Sequence, residues 1–219
     1  MKKGLRVSFI ICLCFIVCIC VYVLFHYQKT SAVRPANQYD AVIDRIQSSI
    51  DKDGDGIDDQ SDILQGALAY VATEPKYKSK YYTSGYPDDG YGVCTDVVAY
   101  ALKWAGYDLM ELVSRDIAKN PDDYPIEQPD ILIDFRRVKN LKIFFANTAI
   151  GLTTEVASIE EWQGGDIVVF ENHIGIVSDR RNRNGVPYVI HHNGPMQTAY
   201  EQDILESRSD IVGHYRMSE

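Results

Sequence analysis

The sequence predicts an α+β domain that follows one membrane-spanning helix. Three observations lead to this prediction. Residues 7–25 form an uninterrupted apolar run, the chain before Glu160 shows the 3.6-residue periodicity of amphipathic helices, and short strand-like segments separated by turn residues come after Glu160. Because the helices precede the strands and do not alternate with them, we expect them to pack on a small antiparallel sheet.

Residues 1–27 are predicted to be a transmembrane signal anchor. The run Val7–Phe25 has no charged side chain and is long enough to cross a bilayer as a helix, and no small-residue cleavage site follows it. Lys2, Lys3 and Arg6 precede the run, so the positive-inside rule places the N-terminus in the cytoplasm and the rest of the chain outside. We therefore expect a single-pass membrane protein.

Residues 28–38 are predicted to be a short polar linker, and residues 39–219 one compact extracytoplasmic domain. The chain carries a net charge of −9 at pH 7, although four of its basic residues lie in the first 29 positions. The domain itself is therefore strongly acidic and would be repelled by nucleic acid, which we do not expect as a partner.

The domain opens with a predicted short helix from Asp40 to Ile50, because its apolar residues keep a helical spacing. The segment 51–62 follows as an acidic loop of twelve residues with Gly56 at its sixth position. Carboxylates occupy positions 1, 3, 5, 9 and 12 of this loop: Asp51, Asp53, Asp55, Asp59 and Asp62. This spacing resembles that of EF-hand loops and of thrombospondin type 3 repeats, and it predicts a structural Ca²⁺ site. An acidic surface turn in which Asp62 caps the next helix is the alternative.

A second helix is expected from Ile63 to Val71, and a third begins at Cys94. In the third helix, one face is apolar and includes the cysteine. That face consists of Cys94, Val97, Val98, Ala101, Leu102 and Ala105. The thiol thus lies in the first helical turn, where unpaired backbone N–H groups and the helix dipole favour a thiolate.

Cys94 is also chemically isolated. The other four cysteines, Cys12, Cys14, Cys18 and Cys20, lie in the apolar run, so no disulfide can form within the domain. An unpaired thiol in an oxidising compartment is a candidate for reactivity, whereas a small buried apolar side chain is the more ordinary role for a lone cysteine.

Further helices are predicted at 109–117 and 141–147. Between them lie Arg136 and Arg137, which have two alternative roles: a fork for a substrate carboxylate, or ion pairs with the domain's own acids. After Glu160, strands are expected around the turn signal Asn184-Gly185, with His173 opening one arm of a hairpin and His191 and His192 ending the other. An imidazole within reach of Cys94 would supply the base that a nucleophilic thiol needs.

These residues carry a resemblance to known families. The order Gly-Val-Cys94-Thr-Asp, Trp162-x-x-Gly-Asp166, His173-Ile-Gly-Ile-Val and Val-Ile-His191 resembles the papain-like NlpC superfamily of cell-wall peptidases and amidases. Over residues 40–219 the chain is more similar to the bacterial domain-of-unknown-function 1287 family, through Gly-Ile-Asp-Asp, Cys94-Thr-Asp, Asp134-Phe-Arg-Arg137 and Gly213-His-Tyr-Arg216. The resemblance implies a papain-like fold with Cys94 as nucleophile, His173 as base and His191 as the residue that orients it. His192 is the alternative for the third role.

The sequence therefore predicts a cysteine hydrolase, an amidase or endopeptidase that is anchored in the bacterial cell membrane. Its expected partner is peptidoglycan or another peptide substrate outside the cytoplasm. A second hypothesis is a catalytically silent module that binds a wall peptide on the same fold. A third is a transition-metal site built from Cys94 and the histidines, although Cys94 has no companion ligand at short spacing.

Overall fold

The computed structural model describes residues 2–26 and 29–218, and within the first helix it describes the side chains of residues 8–23. The described residues form six α-helices, besides a single 3₁₀ turn at Pro121–Asp123. The helices are α1 (Lys2–His26), α2 (Asp59–Ala72), α3 (Cys94–Trp104), α4 (Leu109–Lys119), α5 (Ile131–Asp134) and α6 (Val138–Thr148).

The strands form one antiparallel sheet of six members and one short parallel pair. The pair joins β1 (Lys76–Tyr77) to β2 (Tyr91–Gly92), immediately before α3. The sheet contains β3 (Ile150–Gly151), β4 (Ile167–Phe170), β5 (Ile174–Arg181), β6 (Pro187–Ile190), β7 (Glu201–Gln202) and β8 (Ile211–Arg216). Its strand order is β3-β8-β4-β5-β6-β7, and every neighbouring pair is antiparallel. The predicted α+β class is confirmed.

The main core lies between the sheet and the helices α2 and α3. The apolar face predicted for α3 is buried, with Val97, Val98 and Leu102 fully inaccessible to solvent. These side chains share one cluster with Ile174 and Ile176 of β5, so α3 packs on the central strands of the sheet. Burial of each such large side chain contributes about 1.5–3 kcal/mol to folding, and this fixes the start of α3 relative to β5.

The opposite face of the sheet is anchored by a buried carboxylate. Asp166 is fully buried and accepts hydrogen bonds from Arg216 Nε at 2.8 Å and Nη2 at 3.0 Å. Its Oδ2 also lies 3.0 Å from His214 Nε2, and the His214 ring stacks on Trp162 with centroids 3.8 Å apart. A buried carboxylate needs such partners, so this network fixes β8 against the turn before β4.

Helix α2 begins four residues before its predicted start. Asp58 is its N-cap and accepts a hydrogen bond from the backbone N–H of Ser61. Asp59 and Asp62 therefore lie in the first helical turn, and both are buried. The alternative in which Asp62 caps the helix is wrong, because Asp58 does so.

The predicted helix from Asp40 to Ile50 is wrong, since the segment has no helical structure. Its backbone groups bond to side chains from elsewhere in the chain. The amide of Ser48 donates to Asp58 at 3.1 Å, and the side-chain amide of Gln163 donates to the carbonyl of Asp44 at 3.2 Å. These contacts hold the segment in irregular structure, which its apolar spacing does not reveal.

The segment predicted as a linker packs on the edge of the sheet over residues 29–38, whereas residue 28 lies outside the described residues. Ser31 forms a parallel bridge with Ala199, and Thr30 is buried. The guanidinium of Arg34 pairs with Asp179 and, at 2.9 Å, with Glu201. The ordered domain therefore extends to Thr30, nine residues before its predicted boundary at residue 39.

Helix α1 covers most of the predicted anchor, although residues 1 and 27 lie outside the described residues. Over residues 8–22 its side chains are exposed, including Phe9, Ile11 and Phe15. Within the described part of the chain, no helix combines the length and the hydropathy that a membrane crossing requires.

Candidate active site

Cys94 is the first residue of α3, and the backbone before it approaches the neighbouring helix closely. A Cβ atom at Gly92 would overlap the hydroxyl of Tyr70 on α2, so a larger residue there would force the Tyr70 side chain to move. Val93 has an extended backbone, and its N–H donates to the side chain of Asp96 at 2.8 Å. This contact satisfies one backbone donor at the start of the helix, and the side chain of Cys94 is half-buried.

Asp96 is held by a buried ion pair. Its two carboxylate oxygens accept hydrogen bonds from Arg136 Nε at 2.6 Å and from Nη2 at 2.9 Å. Arg136 also donates to the carbonyl of Lys80 at 2.6 Å. Of the two roles predicted for the arginines, Arg136 has the second, because it forms an ion pair with one of the domain's own acids. Arg137 is 45% exposed and lies 3.8 Å from Asp134.

His173 and His191 form a hydrogen-bonded pair on the sheet. His173 lies directly before β5 and His191 directly after β6, and Nε2 of His173 is 2.9 Å from Nδ1 of His191. Both side chains are buried, and their rings meet edge to face. The bond occupies one nitrogen of His173 and leaves its Nδ1 as the nitrogen available to another group.

Cys94 packs against the core cluster that contains Ile174, and the backbone N–H of Ile174 acts to lower the pKa of the thiol. Ile174 is the residue that follows His173. The structure therefore places His173 and His191 in direct contact, and it packs α3, which begins at Cys94, against β5, which begins directly after His173.

His192 has a different environment. Its ring stands edge to face against Tyr77, at 5.3 Å between centroids, and against Tyr200, at 5.2 Å. Its buried Nδ1 has no hydrogen-bond partner among the described residues. Of the two histidines left open by the sequence, His191 is therefore the one that contacts His173.

The pKa values of the site favour neutral groups. Burial raises the pKa of Cys94 to about 11, and the nearby charge of Asp96 adds to this, although the N–H of Ile174 opposes it. Burial lowers the pKa of His173 to about 4 and that of His191 to about 3. We expected the helix N-terminus to favour a thiolate, but desolvation outweighs it here. The resting site thus holds a thiol beside neutral imidazoles.

Arg208 is a site neighbour that the sequence analysis missed. Its guanidinium lies 4.1 Å above the ring of Phe170, and that ring stacks on His173 with centroids 5.8 Å apart. After burial, the positive charge of Arg208 is the next contribution that lowers the pKa of His173. The short strand segments give no sequence signal that would connect residue 208 to residue 173.

The five aspartates of the predicted calcium loop separate into two groups. Asp51, Asp53 and Asp55 are exposed, and each offers an oxygen within 4.8 Å of the others. Asp59 is instead directed at the domain, where it accepts hydrogen bonds from Tyr107, from Ser218 at 3.1 Å and from the N–H of Lys52 at 2.8 Å. Asp62 is buried, and its pKa is raised to about 6, first by burial and then by the other loop carboxylates.

The hypothesis of a transition-metal site at Cys94 has little geometric support. Within the described residues, the aspartate group above is the only one that brings three potential ligand atoms within 4.8 Å of one another. Cys94 and the histidines do not gather their ligand atoms in this way.

Comparison with known proteins assigns the chain to a family. The model described as "Domain of unknown function (DUF1287)" matches residues 64–217, so the chain belongs to that family. It is also similar to uncharacterized protein YijF of Escherichia coli (strain K12), with 40% identity over 167 residues. The match covers 70% of this chain and 80% of the relative. No solved structure gives a significant match.

The two neighbouring arginines allow a matched test of the ion pair below Cys94. Arg136→Gln leaves Asp96 buried without its cation, so we expect the free energy of unfolding to fall by about 3–5 kcal/mol. Arg137→Gln removes a half-exposed side chain and should change it by less than about 0.5 kcal/mol. Urea denaturation followed by circular dichroism measures both values. An equal fall in the free energy of unfolding in both variants would contradict the assignment of Arg136 as the buried partner of Asp96.

The burial of His192 predicts a specific acid sensitivity. Burial lowers its pKa to about 4 in the folded chain, whereas the imidazole of the unfolded chain titrates at its ordinary pKa of 6.5. The contribution of neutral His192 to the free energy of unfolding is therefore fully present above pH 6.5. It declines as the pH falls towards 4, and about 2 kcal/mol is lost at pH 5.

His192→Gln should accordingly lose about 2 kcal/mol less stability than the wild type between about pH 7 and pH 5. Urea titrations at a series of pH values measure this difference, and Gln128→Ala on the surface should follow the wild-type curve. A His192→Gln curve parallel to the wild type would show that this imidazole is not held neutral.

Proposed function

We propose that this protein is a cysteine hydrolase, an amidase or peptidase with a papain-like catalytic arrangement. The observation that carries the proposal is the 2.9 Å contact between His173 and His191 at the start of β5, the strand on which the helix that begins at Cys94 packs. In this assignment Cys94 is the nucleophile, His173 is the general base and His191 is a positioning residue. An antiparallel sheet covered by the helix that bears the cysteine supports the papain-like reading.

The chemistry follows from the protonation states of the resting site. As the sulfur of Cys94 attacks a carbonyl carbon, Nδ1 of His173 takes the thiol proton, so that no isolated thiolate has to exist in a buried site. In this proposal the backbone N–H of Cys94, at the first position of α3, donates to the developing oxyanion.

The imidazolium then gives its proton to the leaving amine, and the carbon–nitrogen bond breaks to leave a thioester on Cys94. Water attacks this thioester with His173 again as base, which releases the acid and restores the thiol. His191 holds the ring of His173 by its other nitrogen throughout both steps, as the third member of a nucleophile–base–orienter set.

We propose peptidoglycan stem peptides or related wall amides as the substrate, cleaved on the outer side of the cell membrane. The support comes from the sequence, since a basic N-terminus precedes the apolar run of residues 7–25 and the domain that follows is acidic. The exposed apolar side chains of α1 are consistent with an apolar environment for that helix.

A catalytically silent binding module is the second candidate, and one observation favours it. The pKa of Cys94 is raised to about 11, which is opposite to the direction found in cysteines that are activated as stable thiolates. On this reading the cleft would bind a wall peptide, and the buried histidines would serve only packing.

The deciding experiment uses the full chain in detergent with purified peptidoglycan and reads the released fragments by mass spectrometry. We expect wild type to release new fragments, Cys94→Ala to release none, and His173→Ala to lower kcat by about 10²–10⁴-fold. His191→Gln should lower kcat strongly, whereas the matched variant His192→Gln should retain most of it.

One result would count against the hydrolase and another against the role given to His191. Identical fragment patterns for wild type and Cys94→Ala over several kinds of sacculi would leave only the binding module. Equal activity losses in His191→Gln and His192→Gln would contradict the assigned role of His191.

A further inference from the structure

A cavity of about 390 Å³ lies between α4 and α6, away from the candidate active site. Leu112 and Lys119 of α4 line it, together with Phe144 of α6 and Tyr107, which follows α3. Cys94 is at the other end of α3, and neither its thiol nor the paired imidazoles belong to this lining. A volume of this size is typical of sites for small organic molecules.

Part of the cavity surface is apolar and continuous with the core. Phe144 is 2% exposed and belongs to the main core cluster, against which Tyr107, Leu112 and Met217 also pack. All four of these residues contribute to the lining. An organic group seated here would remove their apolar surface from water, which favours binding.

The charges around this apolar surface are mostly positive. Lys52, Arg115 and Lys119 line the cavity, and Asp116 is the single acid that the described residues contribute to it. The whole chain has the opposite balance, with 31 acidic and 22 basic side chains. The cavity is therefore a locally positive region of an acidic protein, and such a region attracts small anions.

The three cations are available to a ligand. Among the described residues, neither Lys52 nor Lys119 takes part in an ion pair. The ammonium of Lys52 lies 5.0 Å above the ring of Tyr107, which places its charge beside the lining. Arg115 pairs with Glu111 at 2.7 Å, but both side chains are exposed, and such a pair is weak.

Asp116 has its own partners. It is buried, and its carboxylate accepts hydrogen bonds from Asn120 at 2.8 Å, from Asn147 at 3.1 Å and from the hydroxyl of Tyr124. These three donors are neutral, and none of them lines the cavity. Three cations and one carboxylate leave two positive charges of the lining unmatched.

We propose that this cavity binds a small phosphate monoester whose organic part is aromatic or short and aliphatic. A phosphate monoester carries a charge of about −1.5 to −2 at pH 7, which matches the two unmatched positive charges. Its oxygens would accept hydrogen bonds from the lysines and Arg115, and its organic part would cover the apolar surface beside Phe144. The site does not depend on the proposed hydrolase activity.

The test titrates phenyl phosphate into the full chain, held in phosphatidylcholine nanodiscs and labelled with ¹³C at the methionine methyl groups. The NMR signal of Met217 reports on the cavity, and that of Met196, which does not line it, is the reference. We expect a saturable shift of Met217 alone, with a Kd of about 1 mM or tighter. Inorganic phosphate and benzyl alcohol should each bind at least about tenfold more weakly, because each lacks one half of the ligand.

Exposed residues of the lining allow matched variants. Lys52→Gln and Lys119→Gln should each weaken the binding of phenyl phosphate about three- to tenfold, whereas Lys139→Gln, at an exposed position of α6 outside the lining, should bind as wild type does. Thr148→Phe, at the exposed rim, should abolish the shift by filling the cavity. Thermal unfolding checks that each variant is folded.

Four results would overturn the site. The first is the absence of a saturable Met217 shift up to about 20 mM phenyl phosphate. The second is an unchanged Kd in both Lys52→Gln and Lys119→Gln, and the third is an equal loss of affinity in Lys139→Gln. The fourth is a shift of Met217 that appears without phenyl phosphate in nanodiscs containing phosphatidylglycerol, since it would assign the cavity to a lipid head group.

Discussion

The packing of α3 on β5 is the constraint on which the candidate site depends. The helix starts at the thiol of Cys94, and the strand starts one residue after the imidazole of His173. The apolar face of the helix buries Val97, Val98 and Leu102 against the sheet, and this sets the distance between the two starting points. Cys94 packs against the core cluster that contains Ile174, and the backbone N–H of Ile174 lowers the pKa of the thiol, so the two starting points lie close together. Any chemistry at Cys94 therefore relies on a contact between segments that lie about eighty residues apart in sequence.

Two buried ion pairs keep this arrangement in register. On the helical side, Arg136 binds Asp96 in the first turn of α3, and on the other face of the sheet Arg216 binds Asp166 before β4. Each pair joins residues at least forty positions apart. Buried pairs contribute little net stability compared with apolar packing, but the loss of one partner is severe. They therefore specify which surfaces meet, and the surrounding apolar core supplies most of the free energy of folding.

Local patterns in the sequence correctly predicted those features of the fold that depend on neighbouring residues. The apolar stripe of α3, the turn at Asn184-Gly185 and the order of helices before strands correspond to the observed elements. The helix predicted at 40–50 failed because distant side chains bond its backbone, and Arg34 ties the predicted linker to the sheet edge. The choice of His191 over His192 required the real positions of both rings, since neighbouring residues on a strand face opposite sides. The upward pKa shift of Cys94 depends on burial, which helix position alone does not disclose.

The central claim is that His173 takes the proton of Cys94, and the pH 7 rate of iodoacetamide modification at Cys94 tests it without knowledge of the substrate. Mass spectrometry of the peptide that contains Cys94 separates this thiol from the four in α1. If the imidazole assists the sulfur, His173→Gln should react at least about tenfold more slowly than wild type, with His192→Gln close to wild type. Equal rates in wild type and His173→Gln would contradict the account.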